Sequence, residues 1–344
     1  MTGPPETLVP ILRKVTAGED LSAAEAEEGF HLIMGGTVSP IQVAGLLCGL
    51  QAKGLCGAEI AGGVRALRRA MIPVDALERH VVDTCGTGGG AVTTFNISTA
   101  AALVAAAGGV PVAKHGNRSF TSRSGSADVL EALDVTIDLT PEQMSRVLEE
   151  VGIVFMLAPL LHPAMRHVGP VRQALGVTTI MNLLGPLTNP ARARRQVVGV
   201  ADAQLLPLVA EGLAQLGHDA ALVVHGQPGM DEVSPCGPTR IAEVANGSVR
   251  TYEVTPESLG VDPVPSQALS GGGPAKNAEI IRSVLEGSEG GPRRTAVIVN
   301  AAAAFYVAGR ASSLRDGVRA AEHAIDSGAA LDRLHHLIQA TRRK

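Results

Sequence analysis

Residues 83–99 read DTCGTGGGAVTTFNIST. Val81 and Val82 lead into this stretch as the end of a buried strand. Gly86, Gly88, Gly89 and Gly90 then free the backbone of Cβ atoms, and the chain reopens at Ser98 and Thr99, both N-cap types, ahead of AAALVAAAGG. The Gly pair closing that run is the expected stop past a helix C-terminus. A strand passing through a glycine loop into a helix start gathers free N–H groups around one spot, which suits a phosphate. The loop is not a Walker A sequence, since no Gly-Lys-Ser/Thr closes it, and its spacing is not G-x-G-x-x-G. By itself it is compatible with an anion cradle and with a tight strand-to-helix turn that binds no ligand.

Outward from this stretch, apolar runs expected as strands recur at 81–83, 110–114, 135–139, 153–157, 196–200, 220–224, 241–244 and 249–254. Helical patterns such as SADVLEAL, PEQMSRVLEEVG and AQLLPLVAEGLAQLG lie between them, and four more close the chain from AKNAEIIRSVLEG onward. Strands alternating with helices predict an α/β domain with a mostly parallel central sheet and flanking helices. Upstream, residues 6–72 show only helical spacing, in four segments punctuated by Gly, Pro or Ser. In the third, Ile41, Ala44, Leu47, Cys48 and Ala52 mark the expected buried face. The chain thus divides into a small all-helical N-terminal domain over 1–72, joined by part of 160–190, and a larger α/β domain over 73–344. Pro73 and the ALERH segment form the linker.

The totals fit this division. A chain of 344 residues, 45% hydrophobic and 18% charged, is long enough for two domains and a large core. With five Phe, two Tyr and no Trp, platforms for stacking single-stranded nucleic acid are scarce. The formal charge of -4 gives no general attraction to nucleic acid or an anionic membrane, and Arg192, Arg194 and Arg195 read as a solvated loop. Cys48, Cys56, Cys85 and Cys236 lack C-x-x-C spacing, which argues against a zinc site or disulfide framework. No signal-peptide layout and no membrane-length apolar run is present, so a reduced, cytoplasmic setting is expected.

Three further constellations bear on chemistry. KHGNRSFTSRSGSAD (114–128) follows an expected strand and sets cations and hydroxyls in a Gly-punctuated loop, as suits a polyphosphate or an exposed flexible loop. Both glycine-containing loops would lie at the carboxyl ends of neighbouring strands. Asp231 and Glu232 leave the run ALVVH on the same side of the sheet, where a divalent ion could bridge them to a pyrophosphate, although adjacent carboxylates are also ordinary in a polar turn. The third, LHPAMRHVGPVRQALGVTTIMNLLGPLTNP, begins at Leu161 and offers Arg172 as a fork for a carboxylate. His162 and His167 are spaced i, i+5, poorly for a helical metal pair, and read as hinge or packing residues.

Taken in order, DTCGTGGG, NIST, KHGNRS, SGSADVLEAL, HPAMRHVGPVR, NLLGPLTNP, MDEVSP and GGGPAKNA resemble the anthranilate phosphoribosyltransferase family along essentially the whole chain. The resemblance implies a small helical domain joined to a larger α/β domain, the fold also of pyrimidine nucleoside phosphorylases, and a homodimer formed through the helical domains. It implies that Gly86, Gly89, Gly90 and Thr94, with Asn96, Ile97, Ser98 and Thr99, hold phosphoribosyl pyrophosphate. Lys114, His115, Gly116, Asn117, Arg118 and Ser119, continuing through Phe120, Thr121 and Ser122 to Ser126, would wrap the same substrate. Anthranilate would contact Gly86, Asn117 and Arg172, and Mg²⁺ would be held by Ser98, Asp231 and Glu232. The implied reaction needs no protein nucleophile, and His115 either helps at the substrate amine or orients its loop. The resemblance departs at Gly90, where the family's GTGGD has its Asp, and at Thr178, where an Arg commonly precedes the Thr. Two alternatives accompany it: a nucleoside phosphorylase of the same fold, whose phosphate signature is absent, and a catalytically impaired homologue that binds nucleic acid.

Overall fold

The computed structural model describes residues 7–77, 80–119 and 123–343. It opens with four helices, α1 (Val9–Thr16), α2 (Ala23–Met34), α3 (Pro40–Lys53) and α4 (Gly57–Ala70). Their starts follow local chemistry. At α2 the Ser22 hydroxyl accepts the Glu25 N–H at 3.3 Å while the Glu25 carboxylate accepts the Ser22 N–H at 2.8 Å. Ser39 and Gln42 make the same box at α3, with Pro40 in the first turn. Lys53 ends α3 with its ammonium 2.6 Å from Asp20 and 2.9 Å from Glu59, a fully buried carboxylate that also accepts the N–H groups of Leu21 and Cys56. Asp20, Cys56 and Glu59 lie close enough together to hold a metal ion, but the Lys53 ammonium already occupies the space between the two carboxylates.

The third helix corrects its expected face. Leu47 is buried, but its companions are Val43, Leu46 and Leu50. Ile41 is 84% exposed and Cys48 and Ala52 are exposed as well, with Ala44 half-buried. The sequence PIQVAGLLCGLQAK is apolar nearly all round, so helical periodicity supplies two competing faces. Packing against α1 and a later helix, Gly169–Leu175, selects between them.

The α/β part runs β1 (Val82–Gly86), α5 (Ile97–Ala107), β2 (Val112–Gly116), α6 (Ser126–Ala132), α7 (Pro141–Val151) and β3 (Ile153–Leu157). Three short helices follow, α8 (Ala158–Leu161), α9 (Gly169–Leu175) and α10 (Met181–Leu187), then β4 (Arg195–Gly199), α11 (Leu205–Gln215) and β5 (Ala220–Gly226). A hairpin of β6 (Thr239–Ala245) and β7 (Ser248–Val254) precedes α12 (Pro256–Leu259), α13 (Pro274–Leu285), α14 (Pro292–Val307), α15 (Leu314–Asp326) and α16 (Ala329–Arg342). The seven strands form one sheet in the order β3-β2-β1-β4-β5-β6-β7, parallel through β5 and antiparallel across the last two pairs. Residues 135–139 join no ladder, contrary to the sequence expectation. Val135, Ile137 and Leu139 are buried at every second position, which gives the strand signal, but the Thr136 N–H donates to the Thr341 hydroxyl at 3.2 Å, so α16 takes the place of a strand neighbour.

Alternation along the central strands builds two cores. Val197, Leu222, Val224 and Ile241 face the layer that includes α5 and α14, whereas Val198, Ala221, Val223, Ala242 and Val244 face α4 and α11. The second core also takes in Val168, Val171, Ile180 and Leu184 from the segment after β3, together with the buried side chains of α1 to α4. Burying each Leu, Ile or Val is worth about 1.5–3 kcal/mol, so this shared layer firmly joins the helical unit to the sheet. The carboxyl ends of five parallel strands are left on one rim, with their loops above it.

Candidate active site

At that rim β1 ends at Gly86 and β4 at Gly199, and the turn carrying Asp231 lies directly across both. A Cβ on Gly199 would sit 1.6 Å from the Asp231 carbonyl oxygen, and one on Gly86 2.7 Å from Asp231 Oδ2. Neighbouring bonds fix the crossing: the Gly88 N–H donates to Asp231 Oδ2 at 3.0 Å, and the Ala91 N–H to the Gly229 carbonyl at 2.8 Å. Gly88 and Gly89 have φ of 69° and 82°, the left-handed conformation that only glycine adopts cheaply. Gly90 lies in the same corner, where a Cβ would be 3.1 Å from Asp231 Oδ1. The glycine loop and the acidic turn, far apart in sequence, thus form one structure.

Glu232 lies by the start of α5, where the Ser98 backbone favours its charged form. Burial, with the neighbouring Asp231 charge, pushes Glu232 up to about 8, against the pull of Lys114. Burial raises Asp231 too. Lys114, itself lowered by burial, sends its ammonium inward to the Thr84 carbonyl (2.5 Å), the Thr84 hydroxyl (3.3 Å) and the Ser98 hydroxyl (3.4 Å). The outcome is a group of two half-buried carboxylates, one buried ammonium and a half-buried serine hydroxyl at a helix N-terminus.

Helix α5 begins at Ile97 with Asn96 as N-cap, earlier than the Ser98–Thr99 start expected from sequence. The Asn96 side chain does not cap the helix. It donates to the Ser124 carbonyl at 3.1 Å and accepts from Asn277 at 2.8 Å, while Asn277 Oδ1 accepts the Gly272 N–H at 2.7 Å. Ile97 is buried, and its N–H is held by the Phe95 carbonyl at 2.8 Å. Thr99 is buried with its hydroxyl unpartnered among the described residues, and Thr94 is half-buried in the approach to the helix.

The second loop leaves β2 at Gly116. The Asn117 carbonyl accepts the Ala127 N–H and the Ser126 hydroxyl, and Asp128 accepts the N–H groups of Ser119 (3.0 Å) and Gly125 (2.8 Å), so the base of the loop is closed by α6. Arg118 is turned away from the cradle into a two-bond pair with Glu131, supported by Asp128. Phe120, Thr121 and Ser122 lie outside the described residues. His115 is buried, and its Nε2 is 3.1 Å from Nε2 of His162, which follows α8. His167 packs against Gly36 in the helical unit. Arg172 sits on α9 with its pKa lowered by burial, and its guanidinium has no carboxylate or carbonyl partner among the described residues.

Sequence reading missed the support beneath these loops. Asp83 is fully buried, pushed up to about 6 by burial, and accepts from the His115 N–H (3.1 Å), Asn189 (2.8 Å) and Gln196 (3.4 Å). Asn189 also donates to the Ala113 carbonyl, and Gln196 meets the ring of His218 at 2.9 Å. The available signal was an Asp placed inside an apolar strand, VVDTC. Asn277 was visible only as part of GGGPAKNA.

Known proteins share this sequence and fold. Residues 78–331 match the family model of the glycosyl transferase family a/b domain, and residues 9–71 that of its helical bundle domain. An anthranilate phosphoribosyltransferase of Rubrobacter xylanophilus is 54% identical over 96% of this chain and 97% of its own length. The crystal structure of anthranilate phosphoribosyltransferase from Thermus thermophilus superposes with a TM-score of 0.92 at 47% identity, covering 96% of this chain and 99% of that one. That from Saccharomyces cerevisiae in complex with PRPP and Mg gives 0.88 at 28% identity, covering 98% of each chain. These matches support neither the phosphorylase nor the nucleic-acid-binding alternative. With its two matched domains in order and relatives alike from end to end, the chain belongs to the anthranilate phosphoribosyltransferase family of glycosyl transferases.

Proposed function

We propose that the chain transfers the phosphoribosyl group of phosphoribosyl pyrophosphate to the amine of anthranilate, giving N-(5-phosphoribosyl)anthranilate and pyrophosphate in tryptophan biosynthesis. The observation that carries this reading is the closure of the Asp231–Glu232 turn over Gly86, Gly199 and the glycine loop. It puts an anion cradle and a carboxylate pair at the same strand ends.

In this reading the glycine loop, Asn96, Ser98 and Thr99 hold the pyrophosphate and ribose phosphate, and the 114–126 loop covers them. The donor set fits magnesium. Ser98, Asp231 and Glu232 offer hard oxygen ligands, and a cation would relieve two carboxylates whose pKa values desolvation raises, that of Glu232 also through the Asp231 charge. When bound, the ion supplies positive charge against the charge growing on the departing pyrophosphate. The chain's residues supply the positioning. Loop N–H groups point at the leaving oxygens, and Arg172 takes the anthranilate carboxylate on paired N–H donors. The C1–N bond forms as the C1–O bond to pyrophosphate breaks, and the amine loses its proton to solvent. An aryl amine is neutral near pH 7, so no strong base is required.

The apolar stripe of Ile41, Ala44 and Cys48 on α3 supports a homodimer through the helical unit. A cytoplasmic location is consistent with four free cysteines, and among the described residues no helix is long and apolar enough to cross a membrane. The direct test mixes folded protein with both substrates and Mg²⁺ and follows the loss of anthranilate fluorescence. Turnover that stops on adding EDTA is expected, and none with folded, magnesium-loaded protein overturns the reading.

A further inference from the structure

Residues 191–196 read ARARRQ, and their arginines, expected from sequence as a solvated loop, are gathered in the structure around one cavity. Arg192 adopts φ of 54°, in the left-handed region that side chains other than Asn and Asp seldom enter. Asn189 holds it there. Its carbonyl accepts the Arg192 N–H at 2.9 Å, and its side-chain oxygen accepts the Ala191 N–H at 2.8 Å. The turn brings Arg192, Arg194 and Arg195, with His80, around a cavity of about 70 Å³ beside Val81. Val82 and Arg195 pair where β1 and β4 begin, so the cavity lies at the amino ends of these strands, on the rim opposite the candidate active site.

Charge is out of balance there. Among the described residues Asp219 is the only carboxylate lining the cavity, and Arg194 already holds it at 2.7 Å. Arg195 gives one N–H to the Val307 carbonyl at 2.9 Å and keeps a buried Nε–H without a partner among the described residues. Behind the cavity, the Nε–H of Arg68 is likewise buried and unpartnered among them. Burial, joined by the neighbouring Arg192 charge, lowers Arg68 to about 10. No carboxylate of the described residues is bonded to Arg68 or Arg192, so two guanidinium groups repel each other in a chain whose formal charge is -4. An anion beside them removes that repulsion.

We propose that this cavity is an anion site that takes a single phosphate ion on Arg192 and Arg195, with Arg194 at its edge. A tetrahedral oxoanion suits it better than a halide or a planar carboxylate, because donors approach from several directions and phosphate presents acceptor oxygens to all of them. The site shares no residue with the cradle on the opposite rim, and it does not depend on the transferase reading.

The test follows the guanidinium Nε–H signals of the full chain labelled with ¹⁵N-arginine. Inorganic phosphate is titrated against sodium chloride of equal ionic strength. The buried Nε–H groups of Arg68 and Arg195 are the reporters, and both are expected to move to saturation with phosphate and to stay in place with chloride. Arg192→Gln removes a guanidinium that makes no hydrogen bond or ion pair among the described residues, so its circular dichroism should match that of the unmodified chain. In that variant the Arg195 signal is expected to need about tenfold more phosphate to saturate, the scale of one charge-assisted hydrogen bond. Arg172, in the candidate active site, reports separately on phosphate bound there. Phosphate that moves Arg172 alone, Arg195 and Arg68 signals that answer equally to chloride, or an Arg192→Gln variant that saturates at the same concentration as the unmodified chain overturns the proposal.

Discussion

Arg172 carries a partly buried guanidinium with no partner among the described residues, and burial lowers its pKa. A forked cation so placed is poised for a planar carboxylate. Replacing it with Ala is expected to raise the anthranilate KM by roughly 10- to 100-fold, the range of a charge-assisted pair worth about 1.5–3 kcal/mol. The KM for phosphoribosyl pyrophosphate should stay level, and steady-state kinetics with each substrate varied in turn checks this. At this scale sequence exposed the residues proposed to touch ligands better than those beneath them. Arg172, Asp231 and the glycines announce themselves by type and spacing. Asp83, Asn189 and Gln196 are ordinary polar residues until the fold buries them around the His115 N–H. Arg118 shows the reverse: its charge suggested a phosphate partner, and in the structure Glu131 and Asp128 hold it.

The element on which the cradle depends is α5, whose first turn is fixed from the side. Asn277 of α13 holds Asn96, and Asn96 in turn holds the Ser124 carbonyl at the end of the second loop. Asn277→Ala would leave Asn96 Oδ1 and the Gly272 N–H without their bonds, each at a cost of about 1–3 kcal/mol. A lower urea midpoint is expected, with a several-fold rise in the KM for phosphoribosyl pyrophosphate and little change for anthranilate. Equal effects on both substrates would show that Asn277 serves general stability alone. The same helix starts earlier than its sequence suggests: Ser98 and Thr99 have capping chemistry, but Asn96 is the N-cap, held from the side by Asn277. On α3, an apolar sequence on every side hid the true inner face, and Ile41 remained outside. If that stripe meets a second copy, Ile41→Glu should yield a monomer by size-exclusion chromatography with light scattering, its helical circular dichroism unchanged.

Across the whole molecule, buried histidines tie stability to pH. His218 is buried against Gln196 and its pKa is lowered to about 4. Folded, it stays neutral, whereas the unfolded ring takes up a proton near 6.5. Between these values the unfolded state binds more protons, so the His218 contribution to stability falls as pH drops through this window and is flat above it. His218 alone accounts for roughly 3 kcal/mol at the acid end. His115 and His162 are shifted in the same direction. Urea midpoints measured from pH 7 to pH 4.5 should decline, and His218→Gln should start lower but decline less steeply. An unaltered slope in that variant would exclude His218 as a source. By itself, the sequence determined the two-part architecture, the near-parallel sheet and the loops proposed to carry the chemistry. Periodicity, glycine placement and strand-helix alternation are local properties, written within a few residues of where they act. Only the tertiary structure decided which face of α3 is buried, that 135–139 packs beside α16 without a ladder, and that Asp231 lies across Gly86 and Gly199. Each depends on a partner far away in the chain, and its energy exists only once the fold brings the two together.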